Sequence, residues 1–200
     1  YMAGEEAYAP APPMPLAGLR LGVLQGYVTE GWDAGVTAAF EAALERLSRA
    51  GARIDLLSVP ALAEIPQVNA AGGFAAPEAC AWHRDLIARK RDAYDPRVLS
   101  RIERGAAMGA ADYIALSAAR ARIIAAFATA TAPFDAVVMP TCPVIPPAIA
   151  EVAADADYAR LNMAMLRNPT VGNFLDRCSI SLPCHTPGSA PVGFMLMGEH

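Results

Sequence analysis

Arg20-Leu-Gly-Val-Leu-Gln25 and Arg53-Ile-Asp-Leu-Leu-Ser-Val59 are short apolar runs with strand character, and between them the apolar period changes. Val36, Phe40, Leu44 and Leu47 recur at helical spacing. Asp33 stands where an N-cap belongs and Gly51 where the helix must stop. Strand, helix and strand within about forty residues make a βαβ unit, and such a crossover implies that the two strands run parallel. That unit predicts an α/β fold.

The rest of the chain extends this pattern. Residues 61–131 read as helical, and Tyr113, Leu116, Ile123 and Phe127 form a stripe on the longest helix. Pro133-Phe134 ends it. Asp135-Ala-Val-Val-Met-Pro140 then reads as a third strand, apolar enough to be covered on both faces. Three prolines between Thr141 and Pro147 require an irregular loop at that strand's C-terminal end. Cys178–Pro183 and Val192–Met197 read as a closing strand pair. Upstream, Pro10, Pro12, Pro13 and Pro15 exclude helix, so residues 1–18 are an extended Pro-rich lead-in and 19–200 a single α/β domain.

Composition excludes several classes. A chain of 200 residues, 54% hydrophobic and 18% charged, with a mean hydropathy of +0.28, has the apolar content for a packed core. It carries no uninterrupted apolar run of about 18 residues, so no membrane partner is expected. A net charge of −4 gives a nucleic-acid partner no support. Cys80, Cys142, Cys178 and Cys184 show neither CxxC spacing nor the density of a secreted scaffold, which predicts a reduced, cytoplasmic protein. The N-terminus has no signal-peptide pattern, and a start at Tyr1 rather than Met fits either processing or a piece of a longer protein.

Four segments, in order and at matching spacing, resemble the amidase signature family of serine hydrolases. Tyr94-Asp-Pro-Arg-Val, Arg101-Ile-Glu-Arg-Gly105, Ala111-Asp-Tyr113 and Arg120 are similar to its mid-region helices. Phe134-Asp-Ala-Val-Val-Met-Pro-Thr-Cys-Pro143 with Pro146-Pro147 resembles its buried strand and Pro-rich loop. Asn168 to Cys184 resembles a helix-then-strand segment, and Ala190 to Gly198 the last strand. The resemblance covers roughly residues 16–198 and implies the C-terminal part of the amidase signature fold. Its mixed sheet, covered by helices, would be incomplete relative to the intact family.

It also implies that the catalytic machinery lies elsewhere. The family's triad is a serine, a second serine and a lysine, in a Gly/Ser-rich stretch and a preceding lysine segment upstream of the matched region. A serine hydroxyl needs a neighbour to take its proton, and a desolvated lysine does so through the bridging serine. This chain has no Gly/Ser-rich run, and its one lysine, Lys90, sits in the charge run Arg89-Lys-Arg91. The 200 residues alone are therefore expected to be inactive, a fragment cut at both ends. The parent is expected to hydrolyse a carboxylic amide through an acyl-serine intermediate, without metal or organic cofactor. The alternative is a short, non-catalytic relative that binds a ligand or partner. The amidotransferase branch ranks low, because Leu161-Asn-Met-Ala-Met-Leu166 stands where its members carry a Tyr-Leu-x-Asp-x-Thr-like stretch.

Other constellations carry less. Ser179, Ser181, Asp176 and His185 spell a Ser/His/Asp set, but no Gly-x-Ser-x-Gly elbow presents a nucleophile, and two small residues packed in a sheet explain the serines. Cys142, Cys178, Cys184 and His185 are too loosely spaced for a zinc knuckle and read as small hydrophobes. The arginines from Arg84 to Arg104 alternate with Asp85, Asp92, Asp95 and Glu103, as on an ion-paired helix face. His83 reads as a helix residue with one satisfied nitrogen.

Ligands of parallel α/β sheets bind beyond the strands' carboxyl ends. The resemblance expects this half to wall the acyl pocket, which makes Thr141, Cys142, Asn173 and Phe74 the substrate-pocket candidates for a small amide. Turn chemistry alone also accounts for Thr and Asn in such loops. A sheet cut short leaves an open edge, so self-association as a homodimer is expected of the isolated piece.

Overall fold

The computed structural model describes residues 14–199. Within it, β1 (Arg20–Gln25), β2 (Arg53–Ser58), β3 (Ala136–Pro140), β4 (Ser179–Pro183) and β5 (Gly193–Met197) form one sheet in the order β2-β1-β3-β5-β4. β1 pairs parallel with both β2 and β3. β5 runs antiparallel to β3, and β4 antiparallel to β5. The sheet is therefore mixed, as expected. The lead-in expectation falls mostly on residues 1–13, outside the described residues; Met14–Leu19 is irregular.

The βαβ unit forms as its sequence requires. α1 (Ala34–Arg49) starts at Asp33, whose Oδ1 accepts from the Val36 N–H at 2.8 Å. It ends where Gly51 takes a φ of +96°, a conformation glycine adopts without steric cost. Val36, Phe40 and Ala43 of α1 pack on one sheet face with Leu21, Val23, Val138 and Phe194, and Leu44 and Leu47 flank them. Phe40 stacks on Phe194 with ring centroids 4.9 Å apart.

The opposite face carries the larger core, and four further helices lead to it. The helical region expected between residues 61 and 131 consists of α2 (Ile65–Val68), α3 (Ala75–Lys90), α4 (Pro96–Glu103) and α5 (Ala110–Thr131), with 3₁₀ turns between α3, α4 and α5. Pro96 starts α4 at a position where its missing N–H costs nothing, and Asp95 caps it. Leu116, Ile123, Phe127 and Thr131 of α5 are buried, so the predicted stripe faces the sheet, with Tyr113 at its rim. By length and composition α5 is the one helix among the described residues long and apolar enough to cross a membrane. Only its inward stripe is buried among the described residues, and Ile114 is 69% exposed. Arg120, on the same stripe, donates to the Phe174 carbonyl at 2.7 Å, and on another side Arg122 pairs with Glu64.

α6 (Asp155–Leu175) begins well before Asn168, earlier than the sequence segment suggested, and contributes Val171, Phe174 and Leu175 to the same core. Its C-cap, Asp176, has φ +57°, in the left-handed region. β1 and β3 are clamped where their N-terminal ends meet by Asp135, which accepts from the Arg20 backbone N–H at 2.8 Å and from its guanidinium at 2.7 Å.

Two measurements check this packing. A Cβ at Gly105 would lie 2.1 Å from the Ala76 carbonyl oxygen, where α3 meets the turn after α4. Gly105→Ala should destabilise by at least about 1–3 kcal/mol, read as a thermal midpoint lower by several degrees. Arg20 holds the Asp135 carboxyl below the usual carboxylate range through its side-chain and backbone hydrogen bonds. A lowered carboxyl contributes stability that is present above its unfolded value and lost as pH falls through its folded one. Asp135→Asn should therefore flatten the acid limb of stability against pH.

Candidate functional site

All three parallel strands deliver their carboxyl ends to one side of the sheet, and the loop Thr141–Pro147 leaves β3 there. Asp33 fixes this loop as well as capping α1. Its Oδ2 accepts from the Ile145 N–H at 2.7 Å, and its own N–H donates to the Pro143 carbonyl at 3.1 Å.

α6 holds the loop from the other side. Asn168 is fully buried and donates from Nδ2 to the Pro140 carbonyl at 2.8 Å. Pro169, inside α6, has no N–H to give the carbonyl of Met165 four residues earlier. The Cys142 thiol donates to that carbonyl at 3.5 Å, so a loop side chain satisfies an acceptor that a proline frees. Burial pushes the Cys142 thiol up, which keeps it protonated and a donor at neutral pH.

At the root of the loop, Thr141 donates its N–H to the Gly193 carbonyl at 2.8 Å and places Oγ1 2.5 Å from Ser181 Oγ. The two hydroxyls meet across β5 because Gly193 presents no side chain: a Cβ there would lie 2.5 Å from both oxygens. Within the pair one hydroxyl donates to the other, so the second keeps its own proton to offer outward. The pair is exposed at the carboxyl end of the sheet. It is the polar constellation that the strand register itself assembles.

The pocket candidates do not all gather there. Thr141 and Cys142 do, with Cys142 turned onto α6. Asn173 lies more than a turn beyond Asn168, on the exposed side of α6. It borders a shallow groove with Gly172, Asp176, Arg177 and Cys178, where β4 begins rather than where it ends. Phe74 precedes α3 and packs edge-to-face on Tyr113 at 5.4 Å, with the Arg120 guanidinium 5.5 Å over its ring. Ser181 and Gly193 were not among the pocket candidates, and Ser181 entered only through the Ser/His/Asp set. The signals were a Ser-x-Ser alternation and a glycine opening the last strand, which become meaningful only once the register is known.

The remaining sets separate. His185 Nδ1 accepts from the Val192 N–H at 3.3 Å, while Asp176 pairs with Arg120 at 3.8 Å, so no Ser/His/Asp relay forms on Ser181. No cluster of three metal-ligating side chains occurs among the described residues. Lys90 is exposed at the end of α3. His83 has one nitrogen bonded to Tyr94 Oη at 2.8 Å.

The family model described as Amidase matches residues 3–200. The chain belongs to the amidase family. It is 31% identical over 191 residues to a 2-amino-5-chloromuconic acid deaminase of Comamonas testosteroni, covering 94% of this chain and 41% of that protein. It is 29% identical over 181 residues to an amidase of Pseudomonas putida, covering 89% and 38%. In fold, this amidase-family chain superposes on urea amidolyase of K. lactis with a TM-score of 0.80 at 22% identity, over 93% of this chain and 11% of that one. The chain thus spans about two fifths of the length of these two curated relatives.

Two outcomes are expected of the site as described. Gly193→Ala forces Thr141 and Ser181 apart and should cost about 1–3 kcal/mol, whereas Ser181→Ala removes one net hydrogen bond worth about 1 kcal/mol; chemical denaturation of both variants reads the difference. A maleimide at neutral pH should modify exposed Cys178 well before buried Cys184 and half-buried Cys142, read by peptide mass mapping.

Proposed function

We propose that these residues are part of an amidase that hydrolyses a carboxylic amide C–N bond through an acyl-serine intermediate. The reacting serine, its partner serine and the lysine lie outside the 200 residues. This part supplies the scaffold and one wall of the substrate pocket. The observation that carries the reading is the family match over residues 3–200 combined with a polar wall, Thr141 and Ser181, at the carboxyl end of the sheet.

The chemistry divides accordingly. Attack by a serine oxygen on the amide carbon releases the amine or ammonia as its leaving group is protonated, and water then cleaves the ester to the acid. Neither step changes an oxidation state, so water is the only co-reactant. Ser181 is not proposed as the nucleophile: its oxygen is engaged by Thr141, and no base stands beside it. The free proton of the hydroxyl pair instead donates to an acceptor on the substrate, such as a carbonyl or carboxylate oxygen. Gly193 keeps the approach open. The reading includes a cytoplasmic location, supported by four cysteines that remain free thiols.

The test is release of amine or ammonia from small amides by the gene product purified from its source cells. Hydrolysis by that product, with none from the 200 residues alone, is the expected result. In the active product Thr141→Val should lower kcat/KM roughly tenfold, the equivalent of one lost hydrogen bond of about 1.4 kcal/mol. Absence of hydrolysis across aryl and short aliphatic amides overturns the reading in favour of a binding module.

A further inference from the structure

Among the described residues the half-buried arginines are Arg97, Arg120, Arg167 and Arg177. Arg97, Arg120 and Arg177 each have a carboxylate within 4 Å, on Asp155, Asp176 and Glu199 respectively. Arg167 has none among the described residues. A cation drawn partly out of water is costly unless an anion faces it.

Arg167 stands on α6 at the carboxyl end of the sheet, beside Asn168, which holds the Pro140 carbonyl where β3 ends. Its guanidinium turns to the segment after β1. Nη2 donates to the Val28 carbonyl at 3.5 Å and to the Glu30 carbonyl, and Nε to Asn168 Oδ1 at 3.4 Å. The guanidinium carbon lies 5.9 Å from the centre of the Tyr27 ring. These contacts hold the group in place, but neutral carbonyls do not cancel its charge. Nη1 donates to no protein group among the described residues. Nor is it buried: Asn162 Nδ2 is the one buried side-chain nitrogen or oxygen left without a partner there. Nη1 is therefore open to solvent, and the planar edge of a guanidinium fits a carboxylate better than any other acceptor.

The Thr141–Ser181 pair lies at the same end and on the same face of the sheet. Ser179, which shares a face with Ser181, has its Oγ 3.2 Å from where a Cβ would stand on Gly172 of α6. Neighbouring strands are about 4.8 Å apart, so a guanidinium over β1 and hydroxyls meeting over β5 are separated by about 10 Å. A hydrogen bond of about 2.8 Å at each end leaves room for a short molecule between them. Resting on the amidase reading, we propose that the substrate is an amide bearing a free carboxylate about two or three methylenes away. Arg167 binds that carboxylate, while the hydroxyl pair donates to an oxygen at the other end. The chemical class is the half-amide of a short dicarboxylic acid.

The test compares half-amides with neutral amides of equal length, succinamate with butyramide and glutaramate with valeramide, on the full gene product of the source cells. The carboxylated member of each pair should have a kcat/KM at least about tenfold higher, the size of one charge-assisted hydrogen bond. In Arg167→Gln that ratio should fall to about one, and Arg167→Lys should keep part of it. A merely structural Arg167 would lower both members together and leave the ratio unchanged, which overturns the proposal. Glutarate supplies a readout without turnover, and one that needs no variant to fold. At about a hundredfold excess over its Kd it should raise the thermal midpoint of the wild-type product by about two degrees or more. Hydrolysis of both classes at equal kcat/KM, with no shift by glutarate, sinks the carboxylate site and leaves the amidase reading intact. A glutarate shift without hydrolysis of any amide keeps the carboxylate site and sinks the amidase reading.

Discussion

The burial of β3 on both faces is the constraint on which the rest of the structure depends. Val137 and Met139 belong to the core under α5 and α6, and Val138 to the core under α1. A strand of alternating contacts with two cores cannot slip by one residue without exchanging their contents. Its register with β1 on one side and β5 on the other is thereby fixed. Where β3 ends, the position of the loop Thr141–Pro147 is fixed too. The geometry of Thr141 is thus a consequence of packing several residues away.

The loop is then held by groups whose first duties lie elsewhere. Asp33 caps α1 with one carboxylate oxygen and takes the Ile145 N–H with the other. Asn168 is buried in α6 yet serves the Pro140 carbonyl. Pro169 would cost α6 a hydrogen bond, and Cys142 supplies the replacement donor. Cys142 accordingly reads as a fastening of the loop to α6. With three elements tied to it, the Pro-rich loop is a rigid wall, the property expected of a surface that positions a ligand.

Legibility in the sequence follows the range of the interactions. The βαβ unit, its Asp33 cap and Gly51 stop, the doubly covered β3 and the final strand pair rest on local period and turn chemistry, and all stand in the structure. The early start of α6 was hidden because Pro169 breaks the local helical pattern while tertiary contacts override it. The Thr141–Ser181 pair joins residues forty positions apart across an intervening strand, so no spacing rule reveals it. Asn173 and Phe74 came forward through resemblance rather than pattern, and both stand away from that pair, in the neighbourhood of the α6 terminus and Arg120.

Two packed cores thus carry an incomplete chemical scheme: a rigid polar wall with no proton acceptor for a serine beside it. The central claim is that the nucleophile belongs to the same protein but not to these residues. The most direct measurement is the intact mass of the gene product from its source cells after reaction with a fluorophosphonate, with the modified serine located by peptide mapping. The predicted result is a mass well above 20.9 kDa and a single adduct outside residues 1–200. A 20.9 kDa product, or an adduct on Ser179 or Ser181, would contradict it.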